Sequence, residues 1–180
     1  MGTIILLNGG SSSGKTTLAK ALQASLPNAW LHFGIDDLID AMPSSMLESE
    51  SGILFDSNGE VVPGENFRIL EWAWMNGIAE MAKQGANLLI DDVLLSGASG
   101  QMRWQSAMQG LTVLWVGVHC HPETAAEREL SRPDRIVGMA VSQARIVHQG
   151  VRYDCTVDTS VMSLDECVQI IIHKLHELQL

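Results

Sequence analysis

Short apolar runs alternate with segments of helical periodicity along the whole chain. Five of these runs predict strands, namely Ile4–Asn8, Trp30–Ile35, Leu88–Ile90, Leu111–Val118 and Cys155–Asp158. The first run is apolar up to its last residue, which is typical of a strand buried on both faces of a parallel sheet. Strands that alternate with helices predict an α/β fold, in which helices cover both faces of a central parallel sheet.

Apolar residues at helical spacing predict the helices of the first half of the chain. Leu18, Leu22 and Leu26 form the apolar face of the first helix, which Pro27 ends. A longer stripe, which precedes a predicted C′ glycine at position 85, consists of Phe67, Leu70, Trp74, Ile78 and Met81. Each stripe predicts an amphipathic helix.

Helix-start signals mark the second half of the chain. Pro122 begins one predicted helix, and another is expected over roughly 138–148. Ser163 and Glu166 form a capping-box pattern at the start of the last helix. The predicted core face of that helix comprises Leu164, Val168, Ile171 and Leu175.

A polar stretch over about 37–66 interrupts the alternation of strands and helices. It opens with a short predicted helix, Leu38–Met42. Farther on, Ile53–Phe55 and Val61–Val62 flank the dipeptide Asn58-Gly59, a pattern that predicts a small β-hairpin. We interpret this stretch as an insertion into the α/β unit.

Length and composition bound the class of protein. With 180 residues, 46% hydrophobic and 18% charged, the chain is expected to form one compact domain over 1–180. A formal net charge of −10 argues against a nucleic-acid partner. The three cysteines form no CxxC pair, which predicts reduced thiols in a cytoplasmic protein. The apolar run Ile4–Leu7 is too short for a signal peptide or a membrane span, so no membrane association is expected.

A glycine- and serine-rich segment follows the first predicted strand and matches the pattern GxxxxGK[ST]. The segment, with the residue after it, is Gly9, Gly10, Ser11, Ser12, Ser13, Gly14, Lys15, Thr16 and Thr17. It lies between a strand and a helix, the context in which this phosphate-binding loop occurs. Small residues let the backbone wrap a phosphate, with inward N–H groups and the positive end of a helix. The pattern predicts ATP binding, with Lys15 on the β/γ-phosphates and Thr16 as a ligand of Mg²⁺.

Two carboxylates end the third predicted strand. Asp91 and Asp92 follow Ile90, and an aspartate in this position commonly holds Mg²⁺, usually through water. Asp91 is favoured because it comes first after the strand, and Asp92 remains a candidate for the metal and for the acceptor pocket. The alternative is that one of the two merely caps the segment that follows.

Asp36 ends the second predicted strand and is a candidate general base. A carboxylate there can accept the proton of an attacking hydroxyl group, which contributes roughly 10²–10⁴-fold in rate. The alternative is that Asp36 or Asp37 caps the helix Leu38–Met42, a role for which Asp37 is the better placed.

Three arginines cluster in an otherwise acidic chain. Arg128, Arg132 and Arg135 flank a turn containing Pro133, and the segment of about 128–137 is predicted to form a lid. Arginines in a lid neutralise the charge on a transferred phosphoryl group, so Arg132 and Arg135 are candidate catalytic residues. Arg128 is a candidate nucleotide contact that could stack on adenine. The alternative is a solvated helix face paired with neighbouring glutamates.

Several segments together resemble the chloramphenicol phosphotransferase family. They are GGSSSGKT, WLHFGIDDLIDAMP, LLIDDV, VLWVGVHC, DRIVGMA and YDCTVDTS, and they follow one another over nearly the whole chain. The resemblance implies a three-layer P-loop kinase fold with an adenylate-kinase-like strand order 2-3-1-4-5. It also implies ATP-dependent phosphorylation of the primary 3-hydroxyl of chloramphenicol, which confers resistance. Asp36 then corresponds to the family's base, and Arg135 to its lid arginine.

Where the family's phosphate-binding loop has alanine and serine, this chain has Ser13 and Thr16, and both changes are compatible with phosphate and Mg²⁺ binding. The acceptor pocket is expected to form from 36–67 and 92–104. Its candidate contacts, besides the two aspartates already named, are Met42, Met46, Phe55 and Phe67.

Three functions therefore stay open from the sequence. The first is an antibiotic O-phosphotransferase, and the second is a kinase of another small hydroxyl compound. The third is a nucleotide-dependent switch or ATPase without an acceptor, against which Asp36 and the arginine segment argue, because a switch needs no acceptor base. An oligomer is compatible with all three.

Overall fold

A computed structural model describes residues 1–47, 49–55, 61–131 and 138–178. The strands are β1 (Thr3–Asn8), β2 (Trp30–Gly34), β3 (Ile53–Phe55), β4 (Val61–Pro63), β5 (Asn87–Asp92), β6 (Thr112–His119) and β7 (Cys155–Asp158). The helices are α1 (Lys15–Ser25), α2 (Ile35–Ala41), α3 (Glu65–Lys83), α4 (Ala98–Ala107), α5 (Pro122–Leu130), α6 (Met139–Ile146) and α7 (Leu164–Leu178). A short 3₁₀ turn, Ser44–Met46, follows α2.

The main sheet contains β2, β5, β1, β6 and β7 in this spatial order, and all its pairings are parallel. Counted in chain order without the hairpin, these strands have the predicted order 2-3-1-4-5. The central strand β1 pairs on both sides, with Ile4 opposite Leu88 of β5 and Val113 of β6. Asn8 and Asp92 consequently lie side by side at the carboxyl edge of the sheet, where ligands of such folds bind.

Helices cover both faces of the sheet and give three layers. Successive residues of a strand point to opposite faces, so an apolar strand supplies both cores. Ile5 and Leu7 of β1 join the core beneath α1 and α7, whereas Ile4 and Leu6 join the core beneath α3 and α4. The fully apolar first run is explained by this double burial.

The predicted insertion builds a smaller third core beside the carboxyl edge. Leu38 of α2, Met42 directly after that helix, Ile53 of β3 and Phe67 of α3 pack together there. Strands β3 and β4 pair antiparallel, as the hairpin pattern predicts, and the Asn-Gly turn between them lies outside the described residues.

Several details differ from the sequence-based expectations. Helix α2 begins at Ile35 rather than at Leu38, because the strand before it ends at Gly34. Helix α4 was not predicted. On α3, Leu70 is exposed and Glu71 is buried, since ion pairs with arginines turn that face inward. On α7, Leu164 is exposed, and Cys167 lies in the core in the place that was expected for Leu164. Within the described residues, no helix combines the length and apolar character that crossing a membrane requires.

Candidate functional site

A cleft of about 430 Å³ opens at the carboxyl edge of the sheet. One wall is the loop between β1 and α1, together with the end of β5. The other wall comes from α2, the hairpin, and the facing sides of α3 and α4. The cleft therefore joins the predicted phosphate loop to the predicted acceptor region.

The loop over Gly9–Thr17 has the shape of an anion cradle. Ser12 and Gly14 have positive φ angles of 58° and 90°, which turn successive N–H groups toward one point. A Cβ atom at Gly9 would lie 2.5 Å from the carbonyl oxygen of Val118, so only glycine fits there. The buried hydroxyls of Ser11, Ser12 and Ser13 have no hydrogen-bond partner among the described residues. A bound phosphate would satisfy such groups, so the loop fits a nucleotide.

Two side chains hold this loop from the inside. The Lys15 ammonium is buried and donates to the carbonyl oxygen of Gly10 at 2.9 Å. The Ser11 N–H donates at 2.7 Å to the side-chain oxygen of Gln143, on α6. Gln143 also lines the cleft, which links α6 directly to the phosphate loop.

Thr16 and Asp91 form the part of the site that suits a divalent cation. The Thr16 hydroxyl donates to Asp91 Oδ2 at 2.8 Å, and His32 Nε2 lies 3.1 Å from the same oxygen. Burial by itself would raise the pKa of Asp91, but the hydrogen bonds from His32 and Thr16 and the charge of Lys15 lower it. A hydroxyl beside an ionised carboxylate is an oxygen donor set that Mg²⁺ accepts.

Asp92 has a different environment from its neighbour. Its carboxylate is buried, and it accepts hydrogen bonds from the indole N–H of Trp104 and the backbone N–H of Val93. Burial raises the pKa of Asp92, and the charge of Glu71 adds to the rise. Asp92 lines the floor of the cleft, but these bonds engage both of its oxygens. The geometry therefore favours Asp91 over Asp92 for a metal.

Asp36 lies in the first turn of α2 rather than at the end of a strand. It is exposed at the cleft and forms part of its lining. The alternative role of Asp37, as N-cap of a helix that starts at Leu38, is not what the structure has. Asp37 is the third helical residue, and its carboxylate accepts the Gly34 N–H at 2.6 Å. The two aspartates thus separate into one that stabilises the helix start and one that faces the cleft.

The predicted acceptor contacts divide into two groups. Phe67 is buried and lines the cleft. Met42 and Met46 do not belong to the lining, because both side chains turn into the third core. The side chain of Phe55 lies outside what the structure describes. Other apolar residues that line the cleft were not singled out from the sequence, among them Ile35, Ile39, Ile53 and Val61.

Arg128 lies next to the phosphate loop. Its guanidinium donates to the hydroxyl and carbonyl oxygens of Thr159 at 3.0 and 2.8 Å, and the Thr159 hydroxyl donates to the carbonyl of Ser13 at 2.8 Å. Arg132 and Arg135 both fall in 132–137, outside the described residues.

The base of the arginine segment is held by a carboxylate that the sequence did not single out. Glu129 is buried and accepts the N–H groups of Gly138 and Ala140, each at 2.8 Å. It thereby ties the end of α5 to the start of α6, on either side of 132–137.

A charged group in the acceptor wall was also not anticipated. Arg68 donates to both carboxylate oxygens of the buried Glu71, and Arg103 of α4 lies 3.4 Å from the same carboxylate. All three residues line the cleft. The only signal in the sequence was a glutamate one position from the apolar stripe of α3, which by itself predicts a surface residue.

Comparison with known proteins agrees with this architecture. The model of the chloramphenicol phosphotransferase-like proteins matches residues 2–176. Two Mycobacterium tuberculosis proteins, named as candidate O-phosphotransferases, are each 33% identical to the chain over 98% of its length and 81% of theirs.

Solved structures share the fold at low sequence identity. A sugar kinase from a Janibacter species has a TM-score of 0.69 at 16% identity, covering 98% of this chain and 95% of its own. Adenosine phosphosulfate kinase (APS kinase) from M. tuberculosis has 0.65 at 14%, covering 97% and 98%. Shikimate kinase from Aquifex aeolicus has 0.57 at 20%, covering 97% and 96%. By its family match and its fold, this chain belongs to the chloramphenicol phosphotransferase-like family and is an enzyme of the phosphotransferase class.

Proposed function

We propose that the enzyme transfers the γ-phosphate of ATP to a hydroxyl group of a small acceptor, with the primary 3-hydroxyl of chloramphenicol as the first candidate. One observation carries this proposal: a single cleft is lined by the phosphate loop, the Thr16–Asp91 pair and the carboxylate of Asp36. Phosphoryl transfer needs a phosphate cradle, a metal site and a group that receives the acceptor's proton, all within reach of one another.

The phosphate loop binds and orients the nucleotide. The hydroxyls of Ser11–Ser13 and the remaining inward N–H groups of the loop would hold the phosphates, and Lys15 would move from the Gly10 carbonyl to the β/γ oxygens. Thr16 and Asp91 would hold Mg²⁺, which when bound offsets the negative charge of the phosphates. Arg128, through Thr159 and Ser13, keeps the loop in shape next to the nucleotide.

Asp36 acts on the acceptor. It orients the attacking hydroxyl and accepts its proton as the oxygen bonds to the γ-phosphorus and the bond from phosphorus to the β,γ-bridging oxygen breaks. Phe67 and the isoleucines of the facing wall bind the apolar part of the acceptor and exclude water. Arg132 and Arg135 complete the proposal as lid residues that approach the transferred group, in a single kinase domain with the insertion at about 37–66 and the lid at about 128–137.

The name of the family suggests chloramphenicol as acceptor, and antibiotic resistance would be the corresponding role. The enzyme would act in the cytoplasm, where ATP and Mg²⁺ are abundant, without nucleic-acid or membrane partners.

Mass spectrometry of chloramphenicol incubated with the protein, ATP and Mg²⁺ tests this proposal. We expect a product heavier by one phosphoryl group, located on the primary hydroxyl. Lys15→Ala should abolish its formation, whereas Lys20→Ala, which changes an exposed lysine of the same helix, should not.

Two other results would change the conclusion. If the protein binds ATP but forms no product from chloramphenicol, the proposed acceptor becomes another small alcohol. If ADP is released at the same rate whether or not an acceptor is present, for every acceptor tried, the enzyme is not a kinase of a small acceptor. That result would favour an ATPase or a switch.

A further inference from the structure

The acceptor wall contains a charged group that the transfer reaction itself does not use. It consists of Arg68 and Glu71 on α3 and Arg103 on α4, and we call it the Arg68–Glu71–Arg103 group. Two cations flank one carboxylate, which leaves one positive charge in excess. We propose that this group binds a carboxylate of the acceptor, so that the natural acceptor is a hydroxy acid; the inference rests on the proposed transfer to a hydroxyl.

Among the described residues, the hydrogen bonds of the group leave donors for a ligand. Arg68 uses Nη1 for both oxygens of Glu71, at 3.0 and 2.8 Å. Arg103 uses Nη1 and Nη2 for the hydroxyl of Ser96, each at 3.2 Å. Its buried Nε lies 3.4 Å from Glu71 but has no hydrogen-bond partner among the described residues. A guanidinium has five N–H donors, and its planar fork fits a carboxylate.

The position of the group sets the direction in which an acceptor binds. Arg68, Glu71 and Arg103 line the same cleft as Asp92 and the phosphate loop. Asp36 and Asp40 belong to a different element, α2, and line the same cleft. An anionic end is repelled by these aspartates and attracted to the arginines, which directs the hydroxyl end toward Asp36.

Glu71 supplies one carboxylate to the two arginines. It is buried and partly neutralises both of them, which keeps them ordered. The excess charge remains for an incoming acid. Chloramphenicol carries no carboxylate and leaves that charge unmatched, so the inference distinguishes it from acidic acceptors.

Matched pairs of acids and alcohols test the inference. Gluconate with sorbitol, glycerate with glycerol, and 3-hydroxybutyrate with 1,3-butanediol differ only in the carboxylate and its reduced form. Binding to the full chain is measured by calorimetry with Mg²⁺ and a non-hydrolysable ATP analogue, and transfer is measured with labelled ATP. At least one acid should bind and react better than its alcohol by roughly 10- to 100-fold, the range for charge-assisted hydrogen bonds.

Variants of the group separate a binding role from a structural one. Arg103→Gln should raise KM for the preferred acid by roughly 10- to 100-fold and leave KM for ATP within twofold. Glu71→Gln should lower KM for the acid, because it removes the competing carboxylate, whereas a purely structural group would only lose activity. Arg152→Gln, an exposed arginine outside the cleft, is the matched control.

The outcomes distinguish this inference from the proposed function. Acid binding that depends on Arg103 without any phosphate transfer would contradict the proposed function and support the arginine site. Two results would overturn the inference but leave the proposed kinase function in place. One is transfer to chloramphenicol at a rate that Arg103→Gln does not change. The other is equal binding of every acid and its matched alcohol.

Discussion

The Thr16 hydroxyl donates a hydrogen bond to Asp91 Oδ2 over 2.8 Å, and this contact joins the phosphate loop to the end of β5. Strands β1 and β5 pair directly in the sheet; Thr16 lies on α1, which follows β1, and Asp91 lies on β5. Their oxygens therefore meet at the point where the positive end of α1 faces the cleft. This contact supports Thr16 and Asp91 as the proposed pair for a cation.

Loss of either member of this pair should weaken the Mg²⁺ dependence of the reaction. We expect Thr16→Val and Asp91→Asn each to raise the Mg²⁺ concentration required for half-maximal transfer by roughly 10–100-fold. Thr16→Ser keeps the hydroxyl and should behave like the native chain. Metal titrations of product formation measure the effect, and an unchanged requirement in Asp91→Asn would transfer the role away from Asp91.

The neighbouring aspartates of α2 should respond differently to substitution. Asp36→Asn should lower kcat by roughly 10²–10⁴-fold and leave nucleotide affinity unchanged, because only the proton acceptor is lost. Asp37→Ala should instead lower stability by about 0.5–2 kcal/mol, through loss of its bond to the Gly34 N–H. Steady-state kinetics and urea unfolding measure the two effects, and native transfer rates in Asp36→Asn would remove Asp36 as the base.

Glu129 should position the arginine segment through its two backbone bonds. Glu129→Ala leaves the N–H groups of Gly138 and Ala140 without this partner, which we expect to cost about 1–3 kcal/mol of stability. It should also lower kcat, while Glu127→Ala, an exposed position on the same helix, should change neither. Equal stability and kcat in the Glu129 variant and its control would show that the two backbone hydrogen bonds to Glu129 are dispensable.

His148 should make stability dependent on mildly acidic pH. Asn8 donates to the Tyr153 hydroxyl, and that hydroxyl lies 2.6 Å from His148 Nδ1. Burial lowers the pKa of His148 to about 4, and the charge of His119 contributes. In the unfolded chain His148 binds a proton near pH 6.5, whereas in the folded chain it does so only near pH 4. Stability therefore falls as the pH decreases from 6.5 to about 4.

Urea unfolding at pH 7, 6 and 5 measures this dependence. His148→Gln should show a weaker loss of stability than the native chain, and His173→Gln, an exposed histidine of α7, should match the native chain. Parallel losses in all three proteins would assign the dependence to other groups.

Much of the fold and of the nucleotide site could be predicted from local patterns. The phosphate loop was identified because its glycines, lysine and threonine stand at fixed spacing between a strand and a helix. The strand Cys155–Asp158 and the Ser163–Glu166 capping box were confirmed, since both depend on neighbouring residues. The acceptor wall was predicted less well, because Met42 and Met46 are of a residue type that often lines pockets but pack in the third core.

The sequence by itself determined the alternation of strands and helices, the parallel sheet and the phosphate loop, because each follows from spacing along the chain. The sequence favoured Asp91 over Asp92 only by its place after the strand; the tertiary structure supplied the different environments, since burial and the partners Thr16 and Trp104 come from distant segments. It alone also brought Arg103 to Arg68 and Glu71, through the packing of α4 on α3. Charges on two helices have no common signal in sequence, because their distance depends on how the helices pack.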